Sequence, residues 1–234
     1  IKPFVALAAL ESGIDPNQEV FCDGKHLIED SSVESGYKTF HCWKNGGHGL
    51  VNLTDAIKVS CDVYFYQISR RIGINKIAEV CRRFGLGKNT FESFKEETNG
   101  LVPDKSWKLS NIGSPWMVGE TLSAGIGQGY FLATSAQLSL ALAQLTNGGK
   151  KLSPSIFYNN LSKKNEHSET VIADPKYLKI IQRGLDEATN DLGGTSYYSR
   201  IRGKYEFGGK TGTSQVRVIS SEEREEGLIK NEDL

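Results

Sequence analysis

Charge of one sign is missing from this chain. Its 28 lysines and arginines are matched by 28 aspartates and glutamates, so nothing argues for nucleic acid or for an anionic membrane surface. Long apolar runs are missing too: no uninterrupted stretch of about 18 apolar residues occurs, so no membrane-spanning helix is expected. The start carries no signal-peptide pattern, although a chain that begins inside a motif cannot report on targeting. Internal repeats and low-complexity tracts are absent. Cysteine is sparse, at four in 234 residues, and the four at positions 22, 42, 61 and 81 allow two disulfides, a metal site or free thiols. What is left is a chain long enough to bury a sizeable core, as one domain or two small ones.

The stretch that organises the rest is Phe207-Gly208-Gly209-Lys210-Thr211-Gly212-Thr213-Ser214-Gln215. With Val216 and Val218 alternating against polar positions, it reads as a β-strand that exposes one face to a ligand. Gly208, Gly209 and Gly212 remove side chains where another backbone or a substrate must come close. Lys210 supplies a fixed positive charge, and Thr211 and Thr213 supply hydroxyls able to bind a carboxylate. Lys-Thr-Gly alone is a weak signal, because three-residue strings recur by chance. Its partners upstream give it weight. Ser60-Cys61-Asp62 is one, and Lys2, in the opening Ile1-Lys2-Pro3-Phe4, stands where the lysine of a Ser-x-x-Lys pair would be. Ser-x-x-Lys, Ser-Asp-Asn and Lys-Thr-Gly form the signature set of β-lactamases and penicillin-binding proteins.

On these residues the chain resembles the class B penicillin-binding proteins. Gly125-Ile126-Gly127-Gln128-Gly129-Tyr130, followed by Thr134-Ser135-Ala136-Gln137-Leu138, is similar to the segment preceding their Lys-Thr-Gly strand. Cys42-Trp43-Lys44, Gly47-His48-Gly49, and Ser60-Cys61-Asp62 running into Tyr64-Phe65-Tyr66 are similar to the elongation-type penicillin-binding protein 2 group. The resemblance covers nearly all of the chain. It implies an α/β (α+β) fold of the β-lactamase/transpeptidase type, a helical subdomain plus an incomplete antiparallel sheet, over residues 1–219. A charged tail at 220–234 follows.

The activity implied is that of a peptidoglycan D,D-transpeptidase, which cross-links stem peptides ending in D-Ala-D-Ala through an acyl-serine and binds β-lactam antibiotics. In that resemblance Lys2 is the base and Ser60 relays a proton to the departing amine. Asp62 orients the donor amide, Lys210 adds positive charge, and Thr211, Gly212 and Thr213 hold the substrate. The implied partners are a glycosyltransferase and elongation-complex membrane proteins, at the periplasmic face of the bacterial inner membrane, with an anchor and a stalk further upstream. One departure stands out. If Lys2 is the motif lysine, the nucleophilic serine lies two positions ahead of Ile1, so these 234 residues alone are expected to form no serine-linked penicillin adduct. An inactive fragment and a β-lactamase-like serine hydrolase are the alternatives, the second needing a water-activating glutamate loop that the sequence does not offer.

Residues 15–52 hold much turn chemistry and little periodicity, a long stretch for a compact domain, so something should staple it. Cys22, Cys42, His48 and Cys61 are candidates, since three thiolates and an imidazole suit a tetrahedral structural zinc. Their spacing does not match that of a short zinc finger. The resemblance implies a metal site at these positions, the last cysteine lying inside the Ser-x-Asp motif. Some relatives carry aspartate there, so Cys22 and Cys42 match by position rather than by residue type. A Cys22–Cys42 disulfide and unpaired buried thiols are the other readings. His26 and His41 read as surface residues, and Cys81 as a buried thiol.

Coarse structure follows from periodicity and caps. Lys2 to Glu11 reads as an alanine-rich helix stopped at Gly13, and Lys2 at its end could simply be exposed. A helix begun near Leu53 meets a second, Val63 to Ile72, at Ser60-Cys61-Asp62, where Ser60 and Asp62 could also be a plain N-cap pair. Ile74 to Phe84 forms another helix. Thr134 with Gln137 opens one whose apolar stripe is Leu138, Ala141, Leu142 and Leu145. Asp174-Pro175 opens one with Leu178, Ile181 and Leu185 inward. Trp107 and Trp116 are candidates to line a cleft.

Overall fold

A computed structural model describes residues 1–91, 94, 96–155, 169–201, 203 and 207–213. Its centre is α1 (Lys2–Glu11), in which every residue from Lys2 to Leu10 is buried. A helix apolar all round has no solvent face to offer, so it becomes the core around which the others pack. Pro3 sits in the first turn, where a missing N–H costs nothing, and the chain leaves through Ser12 and Gly13, the latter at φ 82°. Helix α2 (Leu53–Lys58) opens on a capping box between Asn52 and Asp55. Helix α3 (Asp62–Arg83) lies along α1 and merges the two expected helices into one element bent at Gly73 (φ 76°).

Helices α4 (Lys105–Ile112) and α5 (Val118–Gly125) follow, and α5 crosses α3 at close range. At that crossing a Cβ on Gly125 would stand 1.9 Å from Ser69 Oγ, so only glycine lets the backbones meet. Helix α6 (Ser135–Thr146) begins with the expected Thr134–Gln137 capping box. Helix α7 (Pro175–Asn190) is capped by Asp174 and turns Leu178, Ile181 and Leu185 inward, packing on α2 and α1. Among the described residues no helix is long and apolar enough to cross a membrane.

The mixed helical and antiparallel fold class is the expected one, but three local expectations are corrected. Residues 15–52 are ordered into strands: β1 (Val20–Cys22), β2 (Lys25–Glu29), β3 (Tyr37–His41) and β4 (Gly49–Val51). The β2–β3 pair is nested inside the β1–β4 pair, both antiparallel. Strands of three to five residues are too short to show a period. Second, Phe207 to Thr213 is not in a strand. Its backbone pairs with α7 instead, from Gly209 N–H to Leu185 O at 3.0 Å and from Asn190 Nδ2 to Phe207 O at 3.0 Å. Ser214, Gln215, Val216, Val218 and the tail at 220–234 lie outside the described residues.

Third, α6 buries Ala141 and Leu145 but leaves Leu138 and Leu142 exposed, with Gln137 and Gln144 buried in their place. Gln137 Nε2 donates to the carbonyls of Lys88 and Asn99, and Gln144 Nε2 to that of Phe84. Carbonyls that would otherwise be stranded in the interior decide this helix's face, because leaving them unpaired costs more than exposing two leucines.

Candidate active site

The first turn of α1 carries Lys2 into the interior, 8% exposed, which removes the reading of a solvated helix-end lysine. Its Nζ donates to Ser60 O at 2.9 Å, to Ser60 Oγ at 3.0 Å and to Asp62 Oδ1 at 2.7 Å. An ammonium has three N–H groups, and all three are taken. Between the end of α2 at Lys58 and the start of α3 at Asp62, Ser60 adopts φ 55°, the one non-glycine residue with positive φ among those described. Such a conformation persists only where the surroundings impose it. It turns the Ser60 carbonyl inward to Lys2. The N-cap of α3 is Cys61, whose Sγ accepts from Tyr64 N–H, so Ser60 and Asp62 are not an N-cap pair. Asp62 has its Oδ1 on Lys2 and its Oδ2 on the Trp43 N–H at 2.9 Å. Held at both oxygens, it orients Lys2 from within.

From the far end of the described chain, Lys210 Nζ donates to the same Ser60 Oγ at 2.7 Å, and to Thr211 O at 3.0 Å. Two amines therefore meet on one hydroxyl. Burial and then the positive charge of Lys2 push Lys210 down to about 7, while Asp62 pulls the other way. A hydroxyl that accepts from two amines keeps its own hydrogen for a third partner. Ser60 can thus hand a proton outwards and be refilled from an ammonium.

Thr211 Oγ1 donates to Thr195 Oγ1 at 3.1 Å, and Thr195 in turn bonds Lys58 O through its N–H at 3.2 Å and its hydroxyl at 3.3 Å. Sequence reading passed over Thr195, whose only signal is the Gly193-Gly194-Thr195 run leading to the lysine motif. Gly212 and Thr213 are exposed, one and two residues beyond Thr211. Trp107 and Trp116 are half-buried and cluster around Tyr130, at 5.3 and 6.2 Å between ring centres.

Behind the Ser60 turn lies a second constellation. Cys22 ends β1, Cys42 follows β3, His48 precedes β4 and Cys61 caps α3, and their ligand atoms all lie within 4.8 Å of one another. His48 Nδ1 stands 3.7 Å from Cys22 Sγ and 3.5 Å from Cys42 Sγ, about the edge of a tetrahedron around an ion with ~2.3 Å sulfur and ~2.0 Å nitrogen bonds. The approach depends on Gly47 (φ 79°), where a Cβ would sit 2.0 Å from Cys22 O. All four cysteines are free and buried, so no disulfide joins Cys22 to Cys42. The hydrogen bond from the Cys61 thiol, then His48 and backbone N–H groups, holds Cys42 far below the ordinary thiol range. The same contact, with burial, pushes Cys61 up. Three sulfurs this close cannot all be anionic without a cation among them, and together with His48 they could hold a divalent metal ion. His41 is exposed as expected, and Cys81 is buried in the core, but His26 is half-buried beside Tyr66.

Trp43 joins the two constellations. Its indole Nε1 donates to Val59 O at 3.0 Å and Ser60 O at 3.1 Å, and its ring meets His48 edge-on at 5.3 Å.

The family described as penicillin binding protein transpeptidase domain matches residues 1–227. The chain is 34% identical over 224 residues to the peptidoglycan D,D-transpeptidase MrdA of Salmonella typhimurium, an overlap of 92% of this chain and 35% of that protein. In three dimensions it is similar to Pseudomonas aeruginosa PBP2 in complex with WCK 5153, with a TM-score of 0.81 and 31% identity, covering 92% of this chain and 49% of that one. Helicobacter pylori PBP2, in complex with MreC, gives a TM-score of 0.81 and 34% identity, covering 92% and 39%. This chain spans about a third of the length of the curated relatives it matches.

Proposed function

The chain belongs to the penicillin-binding protein transpeptidase family, and from that premise we propose that the pocket around Ser60 serves a peptidoglycan D,D-transpeptidase. One observation carries this reading: Ser60 Oγ lies 3.0 Å from Lys2 Nζ and 2.7 Å from Lys210 Nζ. The nucleophile is a serine three residues before Lys2, two positions ahead of Ile1 in a longer protein, one helical turn away and on the same face. Its substrate is the peptide bond between the two D-alanines that end a stem peptide; β-lactams present the same chemistry.

Acting in its neutral amine form, Lys2 takes the serine proton as the oxygen bonds to the carbonyl carbon and becomes the ammonium. The oxyanion is held by the Thr213 N–H and the serine's own, each such donor contributing about 10²–10³ in rate. As the C–N bond breaks, the leaving nitrogen takes a proton from Ser60, which is refilled from Lys2. Lys210, Thr211 and Thr213 hold the terminal carboxylate. An amine of a neighbouring strand then takes the acyl group by the reverse sequence.

Cys22, Cys42, His48 and Cys61, in this reading, hold a structural zinc, and the close set of three sulfurs and one imidazole nitrogen supports it. When bound, the ion compensates the buried thiolates and takes no part in acyl transfer. In this reading the protein works at the periplasmic face of the bacterial inner membrane, beside a glycosyltransferase and elongation-complex membrane proteins. The MreC complex of the Helicobacter pylori relative supports that assembly.

The test uses the full-length protein and a labelled penicillin. Peptide mapping is expected to find a long-lived adduct on the serine three residues before Lys2. Release within seconds would make the protein a β-lactamase-like hydrolase, and an adduct elsewhere, or none, would refute the site.

A further inference from the structure

Trp43 stands one residue after Cys42 and five before His48, yet its hydrogen bonds lie across the fold at the turn between α2 and α3. The residue is 58% exposed, so burial of apolar area does not explain its placement. Its donors do. The indole N–H is shared between the carbonyls of Val59 and Ser60, and the backbone N–H occupies Asp62 Oδ2. Two groups hold the carbonyl that Ser60's left-handed conformation turns inward: Lys2 Nζ and this indole. Lys2 exchanges protons during the reaction, so its grip on that carbonyl changes in every turnover, whereas the indole N–H neither gains nor loses one.

Resting on the acylation reading above, we propose that Trp43 is a positioning residue for that reaction. Its indole N–H holds Ser60 in the left-handed turn and its backbone N–H sets Asp62, so the Ser60 hydroxyl stays between Lys2 and Lys210 while protons move. Cys42 and His48, on either side, fix where Trp43 stands. Trp43 touches no reacting atom; it acts through Ser60 and Asp62.

The experiment measures fluorescent-penicillin acylation of the full-length protein. Trp43→Phe keeps a ring against His48 and keeps the backbone N–H, but removes the indole donor. The acylation rate constant is expected to fall about tenfold, the loss of one well-placed hydrogen bond. The half-saturating penicillin concentration, the metal content and the thermal midpoint are expected to match wild type. Replacing Trp43 by benzothienylalanine, which keeps the bicyclic shape with sulfur in place of N–H, is expected to reproduce the same fall.

Wild-type rates in both variants overturn the proposal. So does a fall accompanied by equal loss of metal or of thermal stability, which would make Trp43 a packing residue of the cluster. A full-length wild type that takes no label overturns the acylation reading and this one with it. A wild type that labels beside an equally fast Trp43→Phe removes Trp43 alone.

Discussion

On one side of the site Lys2, Ser60 and Asp62 are at most 9% exposed, the last two each bonded to Lys2. On the other side Thr211, Gly212 and Thr213 lie exposed, and Lys210 alone reaches inward. The first wall is built from the ends of three helices, with the cysteine and histidine cluster directly behind Cys61. The second is a segment tethered to α7 through Leu185 and Asn190, to Thr195 through Thr211, and to Ser60 through Lys210. The difference separates two tasks. In the proposed reaction the groups that would move protons are held by mutual hydrogen bonds at fixed distances, as proton transfer needs. The groups proposed to grasp a carboxylate sit on an exposed, lightly anchored edge.

The sharpest way to break this contrast is to remove a cluster residue. Cys61→Ser in the full-length protein is expected to lose the metal, and with it much of the ~10–16 kcal/mol of apparent binding energy that a structural zinc supplies. Metal analysis and thermal unfolding read this out, whereas substitutions at Thr211 or Thr213 are expected to leave the midpoint within a few degrees. Full metal content and an unchanged midpoint in Cys61→Ser would erase the distinction.

Next in size, Lys2→Gln and Ser60→Ala are each expected to slow acylation by about 10²–10⁴-fold, the span of a positioned general acid or base. The double variant should fall well short of the product of the two, because both act in one proton path. Independent, multiplying effects would separate the two groups.

The exposed wall carries its own pH signature. Lys210 is pushed down to about 7 from an ordinary 10.5, so its charge fades as pH rises through 7. Acylation is expected to decline above about pH 7, and Lys210→Arg, whose guanidinium stays charged, to move that decline beyond pH ~10. For stability the sign is opposite. The cost of holding Lys210 charged in the fold is fully present below pH 7 and is relieved between 7 and 10.5, so this group makes the protein more stable across that window. The smallest effect is expected at Thr195→Val, which removes the hydroxyl under Thr211: a few-fold rise in half-saturating penicillin, with the rate constant little changed.

The same contrast explains what could be read without a structure. Helix starts at Thr134 and Asp174, and the meeting of α2 with α3 at Ser60, were legible because local side chains specify them. That Lys2 and Lys210 meet on Ser60 was legible only through resemblance, since no local pattern joins residues so far apart. The short strands between 20 and 51, the buried amides of α6 and the inward turn of Asp62 were not legible. Each is set by a partner distant in sequence: β4 for β1, the Lys88 and Asn99 carbonyls for Gln137, the Trp43 N–H for Asp62. Thr195 and Trp43 escaped for the same reason: Trp43 stands in the Cys42-Trp43-Lys44 segment, but the roles of both lie in hydrogen bonds across the fold.

The central claim is that the cysteine and histidine cluster and the Ser60 turn form one mechanical unit. It is tested most directly by withdrawing the proposed zinc stepwise from the full-length protein with a chelator and measuring penicillin acylation at each occupancy. The account predicts that the acylation rate falls in proportion to the zinc lost and returns when zinc is restored. Wild-type acylation in protein stripped of zinc, with the fold intact, would contradict it.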